Sequence, residues 1–254
     1  MSTLFISDVH VNAAQPAITQ RLLHFLKGEA GSAQALYILG DLFESWIGDD
    51  DAADADQLQV IAALRSLTDA GTACFLLHGN RDFLMGERFS AASGARILTD
   101  PLVLTLYGHR VLVMHGDALC TGDASYQRLR ALVRDADWQR RFLSLPLSAR
   151  RTLALAARAG SQDHTANIQH QIADVSPQSV ATVLRAAQVD ILLHGHTHRP
   201  GVHRFMLDGR ERTRIVLGDW YTQGSVLRWD ERNYELGGTR VPSADPAPAS
   251  GTPE

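Results

Sequence analysis

Histidines and carboxylates recur in five short segments of this chain, each directly after a run of apolar residues. The segments are Asp8-Val9-His10, Gly40-Asp41, Gly79-Asn80-Arg81-Asp82, His115-Gly116-Asp117 and Gly195-His196-Thr197-His198. Mixed imidazole, carboxylate and amide ligands suit Mn²⁺, Fe or Zn²⁺ better than Ca²⁺ or Mg²⁺, which prefer oxygen ligands alone. Seven side chains of this kind are enough for two metal ions: Asp8, His10, Asp41, Asn80, His115, His196 and His198.

The segments differ in how strongly each indicates a metal site. Asp8 and His10 are two residues apart, so in an extended strand their side chains point to the same side. His196 and His198 repeat this spacing, and two imidazoles so close after an apolar strand are rarely structural. Asp41 has two carboxylate oxygens and is therefore suited to bridging two cations. One such segment alone is most often a turn, but five in one chain are hard to explain by coincidence.

The apolar runs before these segments predict the strands that position them. They cover residues 3–6, 36–39, 74–77, 111–114 and 190–193. Helical periodicity begins at Pro16, at residue 58 and at Pro177. Alternating strands and helices predict a layered α/β fold, for which a doubly wound sheet is one solution. Ligands bind beyond the carboxyl ends of parallel strands, so we expect the five segments to converge there.

Length and composition fit one large domain with an insertion. The 254 residues are 45% hydrophobic and 20% charged, which is ordinary for a protein that buries a core. Residues 123–175 have helical periodicity without a strand candidate. We expect them to form a helical cap over a core made of residues 1–122 and 176–240. Residues 241–254 are rich in Pro, Ala and Ser, and we expect them to be a disordered tail.

The cysteines, the N-terminal sequence and the hydropathy predict the compartment. Cys74 and Cys120 make neither a disulfide framework nor a zinc-type pair, which fits a reducing compartment. The chain enters a strand at Thr3, which leaves no room for a signal peptide. No apolar run approaches the ~20 residues needed to span a bilayer. We therefore expect a cytoplasmic protein, or one attached to a membrane from the cytosolic side.

Charge is distributed unevenly along a chain whose net charge is −4. Residues 41–56 contain seven acids and no base, whereas residues 124–160 contain eight arginines and two aspartates, a net charge of +6. The basic run predicts either a surface for an anionic partner or a solvated helix surface. Few aromatic residues lie among the arginines, which argues against nucleic acid as the partner.

In their order along residues 8–198, the five segments resemble the motifs of the calcineurin-like metallophosphoesterases. The resemblance implies a four-layer α-β-β-α sandwich with a dinuclear metal centre, in place of a doubly wound sheet. By motif matching, one ion would be held by Asp8, His10, Asp41 and His198. The other ion would be held by Asp41, Asn80, His115 and His196.

Arg81 departs from the usual pattern of that superfamily, in which a histidine follows the asparagine and helps to protonate the leaving group. An arginine keeps its proton at any useful pH, so Arg81 can only stabilise charge. This suits a leaving group that is stable as an anion, such as a phosphate released from a pyrophosphate. We expect the next residue, Asp82, to orient a histidine ligand.

Residues 7–10, 40–50, 79–83, 115–121 and 194–200 resemble a narrower family, the pyrophosphohydrolases that cleave UDP-2,3-diacylglucosamine in bacterial lipid A synthesis. The resemblance implies that water attacks the uridine-linked phosphorus, giving UMP and 2,3-diacylglucosamine 1-phosphate. It also implies two Mn²⁺ ions per chain, a lipid-binding cap and a peripheral location on the cytosolic face of the inner membrane. We expect the protein to be a monomer.

The same resemblance assigns site residues. The predicted catalytic residues are Asp41, Asn80, Arg81 and His115. The predicted substrate-binding residues are Asn80, Arg81, Asp123, Ser161, Thr165 and His196. The match is incomplete beyond Ser161, because the family typically has an asparagine and a lysine where this chain has Thr165 and Ile168. Thr165 can still donate a hydrogen bond, but Ile168 cannot replace a lysine, and whether a cap arginine compensates is open.

Other functions compete with this interpretation. A dinucleoside polyphosphate or cyclic nucleotide hydrolase would use the same centre, but the Gly79-Asn80-Arg81-Asp82 segment and the basic insertion argue against it. A scaffold protein that keeps the fold only to bind partners would be expected to have lost ligands, and all seven are present. A nuclease is disfavoured by the confinement of the basic residues to one insertion.

Overall fold

The computed structural model describes residues 2–51, 54–167, 174–221 and 224–239, and within residues 159–167 it describes the helix but not the side chains. The predicted tail, residues 241–254, lies outside the described residues. The strands are β1 (Thr3–Ile6), β2 (Ala35–Ile38), β3 (Ala73–Leu77), β4 (Arg96–Leu98), β5 (Leu102–Leu106), β6 (His109–Val113), β7 (Ile191–His194), β8 (Gly201–Leu207), β9 (Arg210–Val216), β10 (Val226–Trp229) and β11 (Tyr234–Gly237). The α-helices are α1 (Pro16–Lys27), α2 (Ala55–Asp69), α3 (Glu87–Ser93), α4 (Ala124–Val133), α5 (Ala136–Leu143), α6 (Leu147–Asn167) and α7 (Pro177–Ala187).

The strands form two sheets. One has the order β11-β10-β1-β2-β3-β4 and the other has the order β5-β6-β7-β9-β8. In the first sheet β1, β2 and β3 run parallel, with Thr3 opposite Ala35 and Ala35 opposite Ala73. In the second sheet β6 and β7 run parallel, with Val111 opposite Ile191. The carboxyl ends of the parallel strands therefore lie together in each sheet.

Apolar side chains pack the sheets against each other and against helices on both outer faces. Phe5 of β1 lies in a cluster with Val113 and Trp229, which fills the space between the sheets. Its neighbour Leu4 points the other way and joins a separate cluster that includes residues of α1 and α2. Leu184 of α7 packs on the outer face of the second sheet. The four-layer α-β-β-α sandwich is confirmed, and the doubly wound sheet is wrong.

Helix ends follow ordinary local rules. α1 begins at Pro16, whose fixed φ and missing N–H suit the first turn. Before α2, the Asp54 side chain accepts the Gln57 N–H at 2.8 Å, and the Gln57 side chain accepts the Asp54 N–H at 3.3 Å. The elements that were not predicted include α3, β4 and β11, which have seven, three and four residues. Elements this short do not show a clear periodicity.

The insertion contains α4, α5 and α6, and no strand lies among its residues 123–167. Asp123 and Asp135 begin the first two helices, because their side chains accept the N–H groups of Tyr126 and Trp138. Neither α4 nor α5 buries a side chain completely. Within the described part of the chain, no helix combines the length and the hydropathy required to cross a bilayer.

Candidate active site

The five predicted ligand segments are the loops that follow β1, β2, β3, β6 and β7. Backbone hydrogen bonds join neighbouring loops: the Asp8 N–H donates to the Gly40 carbonyl at 3.1 Å, and the Gly195 N–H donates to the His115 carbonyl at 2.8 Å. Glycine is required where the loops approach most closely, because a Cβ on Gly79 would overlap the Asp41 carboxylate. The predicted convergence of the segments is confirmed.

The loops turn so sharply that five of the seven predicted ligands have a left-handed backbone. The φ angles of Asp8, His10, Asp41, His196 and His198 lie between 53° and 69°. Residues with a Cβ rarely adopt this conformation, which costs roughly 1–3 kcal/mol per residue and concentrates at functional sites. The surrounding hydrogen bonds therefore hold these residues in a backbone conformation that the isolated loops would rarely adopt.

A first group of donor atoms comes from the loops after β1 and β7. Nε2 of His10 lies 3.2 Å from Nε2 of His198, and Asp8 Oδ1 lies 3.4 Å from the same His198 nitrogen. Asp8 Oδ1 is buried and has no hydrogen-bond donor among the described residues. A buried carboxylate oxygen beside two facing ring nitrogens is costly without a counter-charge, and a divalent cation fits these donors.

A second group comes from the loops after β3, β6 and β7. The Asn80 side-chain oxygen lies 2.9 Å from Nε2 of His115 and 3.0 Å from Nδ1 of His196. The two imidazole rings are 5.0 Å apart at their centres and nearly perpendicular. One neutral oxygen and two imidazoles thus converge on one point, which also fits a metal ion.

Asp41 lies between the two groups. Its Oδ2 is 3.9 Å from Nε2 of His10 and 3.8 Å from Nε2 of His115. Its Oδ1 accepts the backbone N–H of Arg81 at 2.8 Å, which fixes the carboxylate. A carboxylate in this position could bridge two cations, and the bridging role of Asp41 stays a prediction.

Groups outside the donor groups lie beside the outer nitrogens of three rings, one of them as an aligned hydrogen bond. Nδ1 of His115 donates to the Leu39 carbonyl at 2.8 Å, and Nδ1 of His10 lies 3.0 Å from Glu44 Oε2. Nδ1 of His198 lies 3.6 Å from Asp219 Oδ2. In each case the opposite nitrogen faces the site. Glu44 and Asp219 were not predicted, because their roles depend on contacts that no local motif contains.

Electrostatics within the centre favour bound cations. Burial raises the pKa of Asp41 to about 6 against the opposing effect of His115 and His10. Burial also opposes the charged form of His115, but the carboxylates of Asp41, Asp8 and Asp117 raise its pKa to about 9. The carboxylates thus favour the protonated form of His115, whereas burial lowers the pKa of His196 to about 3. Metal binding would require both rings to be neutral and would release the proton of His115.

Arg81 and Asp82 have separate tasks. Arg81 lies beside the donor groups, and its Nε is buried without a hydrogen-bond partner in the described structure. Asp82 accepts the backbone N–H groups of Asp41, Leu42 and Gly79 at 3.3, 2.7 and 2.8 Å. The expectation that Asp82 orients a histidine is wrong, because its carboxylate joins the backbones of two ligand loops.

A chamber of about 640 Å³ lies between the cap helices and the ligand loops. The polar part of its lining consists of Glu44, Ser45, Asn80, Arg81, Asp117, Arg130, Arg134, Arg141 and Arg158. The remaining lining is mainly apolar and comes from both the cap and the core: Trp46, Ile47, Phe83, Leu84, Tyr126, Leu129, Val133, Trp138, Phe142, Leu145, Leu153, Ala154 and Ala157. This volume is typical of a small-molecule site.

The basic run of the cap meets the acidic run of the core. Six of its eight arginines form ion pairs: Arg130 with Asp117, Arg134 with Asp117, Arg140 with Asp137, Arg150 with Asp50, Arg151 with Asp51, and Arg158 with Glu44. Four arginines of the run, Arg130, Arg134, Arg141 and Arg158, also line the chamber, so the interpretation of the run as a surface for an anionic partner stays a prediction. Five of the six paired arginines contact carboxylates of the core and so attach the cap to it. These pairings could not be predicted from the linear sequence.

The predicted substrate contacts in the cap are only partly described. The Asp123 carboxylate accepts from the Tyr126 N–H and the Ser125 hydroxyl at the start of α4. Ser161 and Thr165 lie in α6, but their side chains are outside the described residues, as is Ile168. Arg158, one turn before Ser161, is a cap arginine that lines the chamber.

The family model of the calcineurin-like phosphoesterases matches residues 1–200 of this chain. The chain belongs to the calcineurin-like phosphoesterase family. This membership agrees with the two-sheet sandwich and with the donor groups at its edge, and it identifies the protein as a hydrolase whose centre binds divalent metal.

Curated members of the phosphoesterase family match nearly the whole chain. The UDP-2,3-diacylglucosamine hydrolase of Chromohalobacter salexigens is 51% identical over 220 residues, 87% of this chain and 89% of that protein. The protein of the same name from Enterobacter sp. (strain 638) is 49% identical over 236 residues, 93% and 98% of the two chains. The one from Xanthomonas oryzae pv. oryzae is 51% identical over 246 residues, with coverage of 93% and 98%.

Proposed function

We propose that this protein hydrolyses the pyrophosphate bond of UDP-2,3-diacylglucosamine and acts in lipid A biosynthesis. Water attacks the uridine-linked phosphorus, the bond from that phosphorus to the bridging oxygen breaks, and UMP and 2,3-diacylglucosamine 1-phosphate are released. The observation that carries the proposal is the chamber, whose lining combines apolar side chains of the cap and the core with Asn80 and Arg81 of a metal-ligand loop. The names of relatives near 50% identity support the same substrate.

We assign two Mn²⁺ ions to the donor groups. Asp8, His10 and His198 would hold one ion, Asn80, His115 and His196 would hold the other, and Asp41 would bridge them. When bound, the ions would neutralise phosphate charge and activate a water molecule at neutral pH. Protein stripped by a chelator should lose activity and recover it best with Mn²⁺. Full activity without metal would contradict this assignment.

Arg81 would stabilise the charge that develops on the phosphoryl oxygens. Its buried Nε has no other partner in the described structure and is available to a phosphate. The leaving group is a phosphate monoester that is stable as an anion, so no protonated histidine is needed at this position. Asn80, Asp123, Ser161, Thr165 and His196 are proposed as further substrate contacts, on the family pattern.

The cap, residues 123–175, would hold the acyl chains, and residues 1–122 and 176–240 would form the catalytic core. Trp138, Phe142 and Leu153 supply apolar surface to the chamber. Other leucines of the cap remain exposed, including Leu132 at 52% and Leu155 at 66%. We propose that these side chains enter the headgroup region of the bacterial inner membrane, where a monomer on the cytosolic face would collect its substrate.

The function is tested by comparing kcat/KM on four substrates with Mn²⁺-loaded protein. They are UDP-2,3-diacylglucosamine, a UDP-sugar without acyl chains, a dinucleoside tetraphosphate and cyclic AMP. We expect the diacyl substrate to exceed the others by at least about two orders of magnitude, because acyl burial contributes ~0.8 kcal/mol per CH₂. A preference for the dinucleoside or the cyclic nucleotide would establish the alternative phosphoesterase function.

A further inference from the structure

Glu44 connects the metal-ligand loops to the cap. Its Oε2 lies 3.0 Å from Nδ1 of His10, and its Oε1 lies 2.7 Å from Nη2 of Arg158 on α6. The same Arg158 nitrogen donates to the Glu44 carbonyl at 2.7 Å. Both side chains are largely shielded, with 20% of Glu44 and 29% of Arg158 exposed. One carboxylate therefore contacts a predicted metal ligand and a cap arginine together.

Glu44 Oε2 lies within contact distance of Nδ1 of His10, although the two atoms are not aligned for a hydrogen bond, and this contact favours one orientation of the ring. Because Nδ1 points at Glu44, Nε2 points at His198 Nε2, 3.2 Å away, and towards Asp41 Oδ2, 3.9 Å away. The backbone reinforces this arrangement, since the Glu44 N–H donates to the Val11 carbonyl at 3.1 Å. A rotation of the Glu44 carboxylate towards Arg158 or away from it would change the support of the His10 ring.

A second ion pair of α6 provides a comparison. Arg151 pairs with Asp51 at 2.5 Å, also between cap and core. No described contact connects Asp51 to a predicted metal ligand. Arg151 and Arg158 thus both lie on α6 and both form an ion pair with an acid of the core. Only the partner of Arg158, Glu44, also contacts a predicted metal ligand.

We propose that Glu44 is a positioning residue that couples docking of the cap to metal binding. Docking of α6 places Arg158 on Glu44, the fixed carboxylate holds His10, and the oriented ring binds metal more tightly. Coupling free energies are reciprocal, so metal binding stabilises the docked α6 to the same extent. The inference rests on the proposed metal centre but is independent of the substrate.

The test measures Mn²⁺ affinity by calorimetric titration of the full chain, with no substrate present. Glu44→Gln keeps the size of the side chain and should weaken Mn²⁺ binding about 10- to 100-fold, as loss of a partner of a ligating histidine typically does. Arg158→Ala should weaken it about fivefold although Arg158 touches no metal ligand. Arg158→Lys, which retains the charge, should recover part of the loss. Arg151→Ala should change the affinity less than about twofold.

Hydrogen exchange of residues 147–158 supplies the reciprocal readout. Saturating Mn²⁺ should slow exchange there in the parent protein and in Arg151→Ala, and should have much less effect in Glu44→Gln and Arg158→Ala. If the parent binds Mn²⁺ and the Arg158→Ala and Arg151→Ala variants bind it with equal affinity, the coupling is overturned. The proposed function would remain intact in that case. A parent that binds no Mn²⁺ would overturn the metal centre, and the coupling with it.

Discussion

The ligand loops and the cap are both rich in charge, but they are built in different ways. The loops are held mainly by backbone hydrogen bonds. Most of the seven predicted metal ligands are buried, and five of the seven have left-handed φ angles. The cap is held by arginine side chains on acids of the core, and its first two helices bury no side chain completely. The positions of the side chains in the loops are therefore fixed, whereas the helices of the cap can shift relative to the core.

The difference fits the two tasks that we propose for these regions. Transfer of a phosphoryl group requires donors placed within fractions of an ångström, so strain and burial in the loops are tolerated. Acyl chains vary in conformation, and a region with few buried contacts opens more readily than a packed core. The same contrast predicts that changes in the loops abolish chemistry, while changes in the cap alter substrate binding.

The largest expected effect is that of Asp41→Ala. It removes the proposed bridging carboxylate and the acceptor of the Arg81 N–H, so kcat/KM should fall by more than about 100-fold. Asp51→Ala is the matched control, since Asp51 contacts the cap arginine Arg151 and should change the rate little. Steady-state kinetics with saturating Mn²⁺ check this. Near-normal turnover in Asp41→Ala would refute the bridging assignment.

Arg81→His should have the next largest effect, and the effect should depend on the leaving group. Loss of a charged hydrogen bond to phosphate, ~1.5–3 kcal/mol, corresponds to roughly one to two orders of magnitude in rate on UDP-2,3-diacylglucosamine. An alkyl phosphodiester should suffer less, or gain, because a histidine can protonate its poor leaving group.

The comparison of kcat/KM on the two substrates checks the role of Arg81. Equal losses on both would mean that Arg81 only clamps phosphate, and the leaving-group argument would fail. No loss on either would remove Arg81 from the site.

Two leucines of α6 test the cap at smaller magnitude. Leu153, which is 50% exposed, lines the chamber, whereas Leu155, which is 66% exposed, does not. Leu153→Ala should raise KM for the diacyl substrate about fivefold, since losing part of the contact between this leucine and an acyl chain costs about 1 kcal/mol. It should leave kcat on a UDP-sugar without acyl chains unchanged. If Leu155→Ala raised KM as much in detergent solution, the chamber would not be the acyl site.

The smallest effect concerns pH. The hydrogen bond to Arg150 holds the pKa of Asp50 below its ordinary value. The pair therefore stabilises the protein fully above the unfolded-state pKa, about 4, and this contribution disappears as pH falls through the lower folded-state pKa. Urea denaturation should show the parent to be more stable than Asp50→Asn near neutral pH, with a difference that shrinks below about pH 4. A pH-independent difference would mean that Asp50 acts without its charge.

The strands and ligands were predictable because short apolar runs ended by glycine, histidine and carboxylate carry a local signal. Hydrophobic runs predicted β1, β2, β3, β6 and β7 to within one or two residues. The hydrophobic pattern alone did not predict that the strands form two sheets. The sheet to which a strand belongs and its register depend on contacts between residues that are distant in sequence. The resemblance to a known family supplied that part.

The missing parts of the site share one cause. Glu44 and Asp219 orient histidines that lie far away in sequence, and no spacing rule identifies them. The basic run was visible, but its counter-charges Asp50 and Asp51 lie about one hundred positions earlier and meet it only in the folded chain.

The most direct test of the account is hydrolysis of UDP-2,3-diacylglucosamine in ¹⁸O-labelled water by Mn²⁺-loaded protein, with mass spectrometry of both products. The account predicts one ¹⁸O atom in UMP and none in the 2,3-diacylglucosamine 1-phosphate, because water attacks the uridine-linked phosphorus. Label in the sugar phosphate would place the attack on the other phosphorus, and an absence of hydrolysis would contradict the proposed function itself.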